Sequence, residues 1–245
     1  MEVNILFTNK KTIEFIGVIS GIIVILCAIA TIIVSYLISL NYFQPEIEII
    51  LQAYYYDRAI FASEAILYLI VGIFMVPSIF GIFFFIRKNS VEKEKISPLI
   101  PLIFLIIGYL IIISLYIFKL FIIFEIASRY FFASISEKNE IIAYVEQSDL
   151  IFDILVIIAT IANAIGIVLF GIIMNQNPIF NKAVVWTAYA SGICSLGVFG
   201  NLIIGTFGTI LLFINQVGIF LFYFWLGYIF FIILKTKLKK EKTVE

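Results

Sequence analysis

The chain has 245 residues, 63% of them hydrophobic and 13% charged, with a formal net charge of +0. That charged fraction is about half of what a soluble domain carries. It cannot cover a water-facing surface, so much of the apolar surface must face lipid. Balanced charge gives no reason to expect a nucleic-acid partner, and the lack of any histidine removes the commonest general base and transition-metal ligand.

A bilayer core about 30 Å thick calls for about 20 apolar residues in a helix. Six runs meet that requirement: 15–40, 61–86, 99–124, 150–174, 184–204 and 210–234. In lipid the backbone has no water to bond, and the runs lack the alternation of barrel strands, so each is read as a helix. The first follows Lys10 and Lys11 and is too long for a signal-peptide core of about 7–15 residues. The segment after it is acidic and aromatic, with Glu46, Glu48, Tyr54, Tyr55, Tyr56 and Asp57. Pro45 there suits the first turn of a helix. Ile47, Ile50, Leu51 and Tyr54 recur at helical spacing, as in a helix lying along the membrane interface. Between the third and fourth runs, Glu137, Glu140 and Glu146 accompany Ile141, Ile142 and Val145. That pattern starts the fourth helix above the membrane. Gly205–Thr209 is a tight uncharged turn. The expected fold is all-α: a polytopic bundle of six transmembrane helices forming a single integral membrane domain over 1–245.

Lysine and arginine set the orientation. Twelve fall on one side of the runs: Lys10, Lys11, Arg87, Lys88, Lys93, Lys95, Lys182 and the five lysines from Lys235 to Lys242. Three fall on the other: Arg58, Arg129 and Lys138. By the positive-inside rule both termini are cytoplasmic and the chain is a multi-pass protein of the cell membrane.

Ionisable groups inside a membrane are costly and mark function by default. Glu64, Lys119 and Asp153 qualify. With the third run centred near Ile111, Lys119 lies about 12 Å past the midplane at 1.5 Å per residue. Helical spacing puts Glu64 with Asp57 and Tyr68, Lys119 with Tyr109 and Tyr116, and Asp153 with Asp149, Thr160 and Asn163. Asn201 and Asn215 fall in the same outer half. These residues predict a polar vestibule open to the outside, in which Lys119 pairs with Asp153 or Glu64. The plainer alternative is that Lys119 snorkels to the headgroups while asparagine and threonine bond neighbouring helices. A small-molecule or ion ligand stays open under the first reading. No cofactor, metal or catalytic constellation is expected. Cys27 and Cys194 sit in apolar runs as small packing residues. Gly17-x-x-x-Gly21 and the thin face Ala190, Cys194, Gly197, Asn201 predict close helix contacts within the chain.

Gly171-Ile172-Ile173-Met174 runs into Asn177-Pro178-Ile179-Phe180-Asn181-Lys182, followed by Val185-Trp186 and Gly192, and the last helix carries Phe224-Trp225-Leu226-Gly227. In these segments the second half resembles the small six-helix prokaryotic membrane proteins catalogued as domain of unknown function 4386. The resemblance implies a six-helix membrane fold and brings no known activity or site. The expected role is non-enzymatic. Two alternatives are a small transporter or substrate-binding subunit with an outer-leaflet polar site, and a structural or partner subunit of a membrane complex. A lipid-acting enzyme would need Glu64, Asp149 or Asp153 as its acid or base.

Overall fold

The computed structural model describes residues 3–41, 46–89, 97–203 and 205–241, the side chains of 3–11, 201 and 237–241 excepted. Pro45, Lys93 and Lys95 lie outside the described residues. The chain is all-helical, with no strand among the described residues. The helices are α1 (Val3–Asn41), α2 (Ile47–Tyr56), α3 (Arg58–Lys88), α4 (Leu99–Phe121), α5 (Ala127–Phe132), α6 (Ile135–Asn175), α7 (Lys182–Ser195) and α8 (Thr206–Glu241). A π turn, Ile122–Ile126, joins α4 to α5, and a 3-10 turn, Leu196–Leu202, extends α7. Six stretches are long and apolar enough to cross a membrane: Thr12–Asn41, Arg58–Lys88, Leu99–Phe132, Ile135–Asn175, Lys182–Gly200 and Thr206–Thr236. This is consistent with a multi-pass membrane protein.

Several boundaries differ from those read off hydropathy: α1 begins at Val3, and α8 begins at Thr206, so that Thr206 to Thr209, expected in a turn, are helical. The fourth apolar run covers 150–174, and α6 begins ahead of it at Ile135, as the spacing of Ile141, Ile142 and Val145 implies. The helix expected at 184–204 is α-helical only to Ser195, beyond which it tightens to 3-10. The helix expected at 99–124 passes into the π turn at Ile122.

The chain forms two compact units. One comprises 26–73 and 110–156, called here the Lys119 unit. In it α2 packs against the π turn and α5. The π turn carries one residue more per turn than an α-helix, which turns two successive isoleucines into two different cores. Ile122 packs with Leu51, Ala127, Tyr130, Ile141 and Val145, and Ile123 with Ala53, Phe61, Ala62 and Ala65. The α6 start is fixed by a capping box: Ser134 donates from its backbone N–H (3.0 Å) and its hydroxyl (2.9 Å) to Glu137 Oε2.

The other unit comprises 1–25, 74–109 and 157–245. Its helices meet at small residues. A Cβ on Gly17 would come within 2.6 Å of Gly81 Cα, so α1 and α3 touch backbone to backbone there. α7 and α8 form a hairpin through Gly205, whose φ of 94° is open to glycine without strain. It is tied by Ser191 Oγ donating to the Gly218 carbonyl at 2.9 Å. Asn177 pins the α6–α7 turn: its Nδ2 donates to the Asn89 carbonyl (2.7 Å) and its Oδ1 accepts from Ile179 N–H (3.1 Å). Asn181 then caps α7, accepting from Val184 N–H at 3.0 Å. The largest wholly buried side chains of this unit include Trp225, Phe170, Met75 and Met174.

Candidate functional site

The Lys119 unit gathers three helices at one carboxylate. Glu64, on α3, is 9% exposed. Its Oε2 accepts from Lys119 Nζ of α4 at 3.0 Å, and its Oε1 accepts from Ser35 Oγ of α1 at 2.6 Å. A charge-assisted bond in a low-dielectric setting is stronger than a neutral one, and both carboxylate oxygens are satisfied. A lone charge buried here would cost several kcal/mol. The pair reduces that cost for both partners.

Tyrosines close the site. Tyr68 stacks on Tyr116 at 4.4 Å between ring centres and 11° between planes, and it lies close to Ser35, Glu64 and Lys119. Lys119 Nζ stands 5.9 Å from the Tyr116 ring centre, within cation–π range. Phe152 of α6 meets the edge of Tyr116 at 6.1 Å. Tyr54 reaches the same charges from α2: burial pushes its phenol above the ordinary range, with Lys119, Asp149 and Glu64 the charges nearby. The hydroxyl therefore stays protonated and can serve as a donor.

Lys119 is the open member. The ammonium has three N–H donors and makes one hydrogen bond among the described residues, to Glu64. Its side chain is 23% exposed against 12% for the Glu64 side chain. Asp149 lies within electrostatic reach of it. The cluster thus presents a cation with unused donors beside a carboxylate that could accept from a bound group.

Of the residues expected in a vestibule, the structure brings Glu64 and Lys119 together. Asp153 stands exposed on α6, and the ion pair of Lys119 is with Glu64. Asn163 and Asn215 belong to the other unit. Each holds a buried side-chain oxygen without a hydrogen-bond partner. Asn163 lies over Gly108, where a Cβ would fall 2.2 Å from its Oδ1. Asn201 is in the 3-10 turn, and its side chain lies outside the described residues. Ser35, Tyr54 and Tyr116 complete the cluster. Ser35 carried no distinguishing sequence signal, being one of several hydroxyls along α1, with Ser20, Thr31 and Ser39 among the others.

Other expected features resolve within single units. Cys27 and Cys194 are free and half-buried. Gly21 packs against the Phe230 ring, and Gly197 against the Leu211 carbonyl. A second ion pair joins Glu14 to Lys88 at 3.5 Å. Among the described residues no group of three or more cysteine, aspartate or glutamate side chains could hold a metal ion. Compared with known proteins, the chain matches no family model, no curated protein and no solved structure.

Proposed function

We propose that this chain is a non-enzymatic multi-pass protein of the cell membrane, both termini cytoplasmic, that binds a small polar solute or ion at the Lys119–Glu64 cluster. The role is that of a small transporter or a substrate-binding membrane subunit. The observation that carries this reading is the half-engaged Lys119 ammonium. It sits in an apolar helix, is held by one buried carboxylate, and keeps donors that a bound anion or carbonyl would satisfy. The orientation rests on the twelve-to-three bias of lysine and arginine between the two sets of loops. The resemblance to domain of unknown function 4386 is offered on the same footing and adds no activity.

The test is thermal unfolding of the purified protein against a panel of inorganic ions, amino acids, vitamins and lipids. A ligand that binds only the folded state stabilises it by about 2.7 kcal/mol at one hundred times its Kd. A rise in Tm that disappears in Lys119→Met supports the site. A panel without any shift, with Lys119→Met and Glu64→Gln altering stability alone, would make the cluster a fastening between helices and overturn the proposal.

A further inference from the structure

We infer that the tip formed by α2, α5 and the start of α6 is a docking surface for a protein whose contact face has an apolar centre and a cationic rim. The most exposed large hydrophobic side chains there are Ile135 (83%), Phe132 (77%) and Tyr56 (67%). They belong to one aromatic knot and its continuation. Tyr55 stacks on Phe131 at 4.0 Å, and Tyr56 and Phe132 meet Phe131 edge-on at 5.4 and 5.2 Å. Ile135 follows Phe132 after only Ala133 and Ser134.

Lipid does not account for this exposure. Phe132 is thirteen residues beyond Lys119 along a continuous helical path. At 1.5 Å per residue that is about 20 Å. Lys119 is itself about 12 Å past the centre of its apolar run. Even from the centre of Leu99–Phe132, the stretch able to cross a membrane, the tip is about 25 Å out at 1.5 Å per residue, beyond the 20–22 Å or so at which the headgroups end. α6 gives a like answer, since Ile135 opens the apolar stretch Ile135–Asn175 and lies about 30 Å from its centre at 1.5 Å per residue. Apolar side chains held out in water on a packed base mark a protein contact.

Charge selects the partner. Glu46, Glu48, Asp57, Glu137, Glu140 and Glu146 are all exposed on these segments. Two of the three basic residues there are turned to local partners. Arg58 donates to Ser128 and lies over Tyr55 and Phe124, and Lys138 lies over the Tyr130 ring, while Arg129 is exposed within electrostatic reach of Glu137, so six exposed carboxylates outnumber the one exposed cation. An acidic rim repels a second copy of itself and attracts a cationic one.

The test uses the full-length protein in phosphatidylcholine nanodiscs, with empty discs as control. The probes are an amphipathic leucine–lysine peptide and its leucine–glutamate counterpart. The expected result is binding of the lysine peptide alone, weakened at least tenfold by Phe132→Ser with Ile135→Ser and weakened further by salt. Equal binding of both peptides, or binding indifferent to the two substitutions, would overturn the inference. So would dimerisation of the wild type that the substitutions abolish, since a second copy would then be the occupant. Phe132→Trp gives an independent check. Quenching of its fluorescence by brominated lipid to the extent seen in Leu110→Trp would place the tip in the bilayer and also overturn it. No such quenching is expected.

Discussion

Removing either member of the Lys119–Glu64 pair leaves the other charge in a poorly solvated place. Lys119→Met strips Glu64 Oε2 of its donor and leaves only Ser35, while Glu64→Gln leaves the ammonium facing an amide. Each single change should cost about 3 kcal/mol or more, as for other buried pairs broken on one side. Lys119→Met with Glu64→Met together should cost less than the sum, because no orphan charge remains. A double-mutant cycle of unfolding free energies in detergent measures this, and additive losses would show that the two groups are not coupled. Both residues were legible in the sequence, since ionisable side chains stand out in apolar runs. Their pairing was not. Spacing along one helix gives the face a residue shares with its neighbours and leaves open which face of the next helix it meets. Glu64 and Asp153 were therefore equivalent candidates until the packing of α3 against α4 decided between them. Ser35 was beyond sequence reasoning for the same reason.

At the scale of elements, helix existence followed from hydropathy and helix character did not. Among the described residues the six apolar runs are helical, apart from Ile203 at the end of the fifth. The π turn, the 3-10 turn and the α6 extension are set by contacts or by local polar bonds that an apolar window ignores. The Ser134-x-x-Glu137 capping box was a readable signal for the α6 start, as were Ile141, Ile142 and Val145 behind it. The π turn leaves no comparable mark, because its sequence, Ile-Ile-Phe-Glu-Ile, would sit equally well in an α-helix. Its function is testable by deletion. Removing one residue from α4 rotates everything beyond by about 100° and should swing Tyr130 and Ala127 out of their core. Removing Ile126 from the π turn takes away the extra residue and leaves that register intact. The Ile113 deletion is thus expected to lower Tm well below that of the Ile126 deletion. Equal losses in thermal unfolding would mean that the turn does not set the register. The α6–α7 turn gives a second case. Asn177→Ala leaves the Asn89 carbonyl and Ile179 N–H without their partner. A loss of about 1–3 kcal/mol is expected in the unfolding free energy measured in detergent, and an unchanged value would mean that these bonds do not hold the turn.

For the whole molecule, the open quantity is which loops face which side. On the proposed orientation Asn139 is outside and Lys182 inside, with α6 as the single crossing between them. In a background with Cys27 and Cys194 replaced by alanine, Asn139→Cys should react with a membrane-impermeant maleimide in intact cells. Lys182→Cys should react only after permeabilisation, and the reverse pattern would invert the orientation. The sharper test concerns α7 and its 3-10 extension. At 19 residues, Lys182–Gly200 is the shortest and least apolar of the six candidate spans, and a bilayer core asks for about 20. Tightening to 3-10 adds reach, since each residue then rises about 2.0 Å where an α-helical one rises 1.5 Å. Five of its residues, Leu196 to Gly200, take that form and gain about 2.5 Å, so the segment can span where a purely α-helical one of equal length would fall short. Phe207, 62% exposed at the start of α8, reports the outcome. If α7 crosses, Phe207→Cys is labelled from outside together with Asn139→Cys. Labelling only after permeabilisation, in company with Lys182→Cys, would mean that α7 and α8 do not both cross, and the six-crossing arrangement would have to be given up.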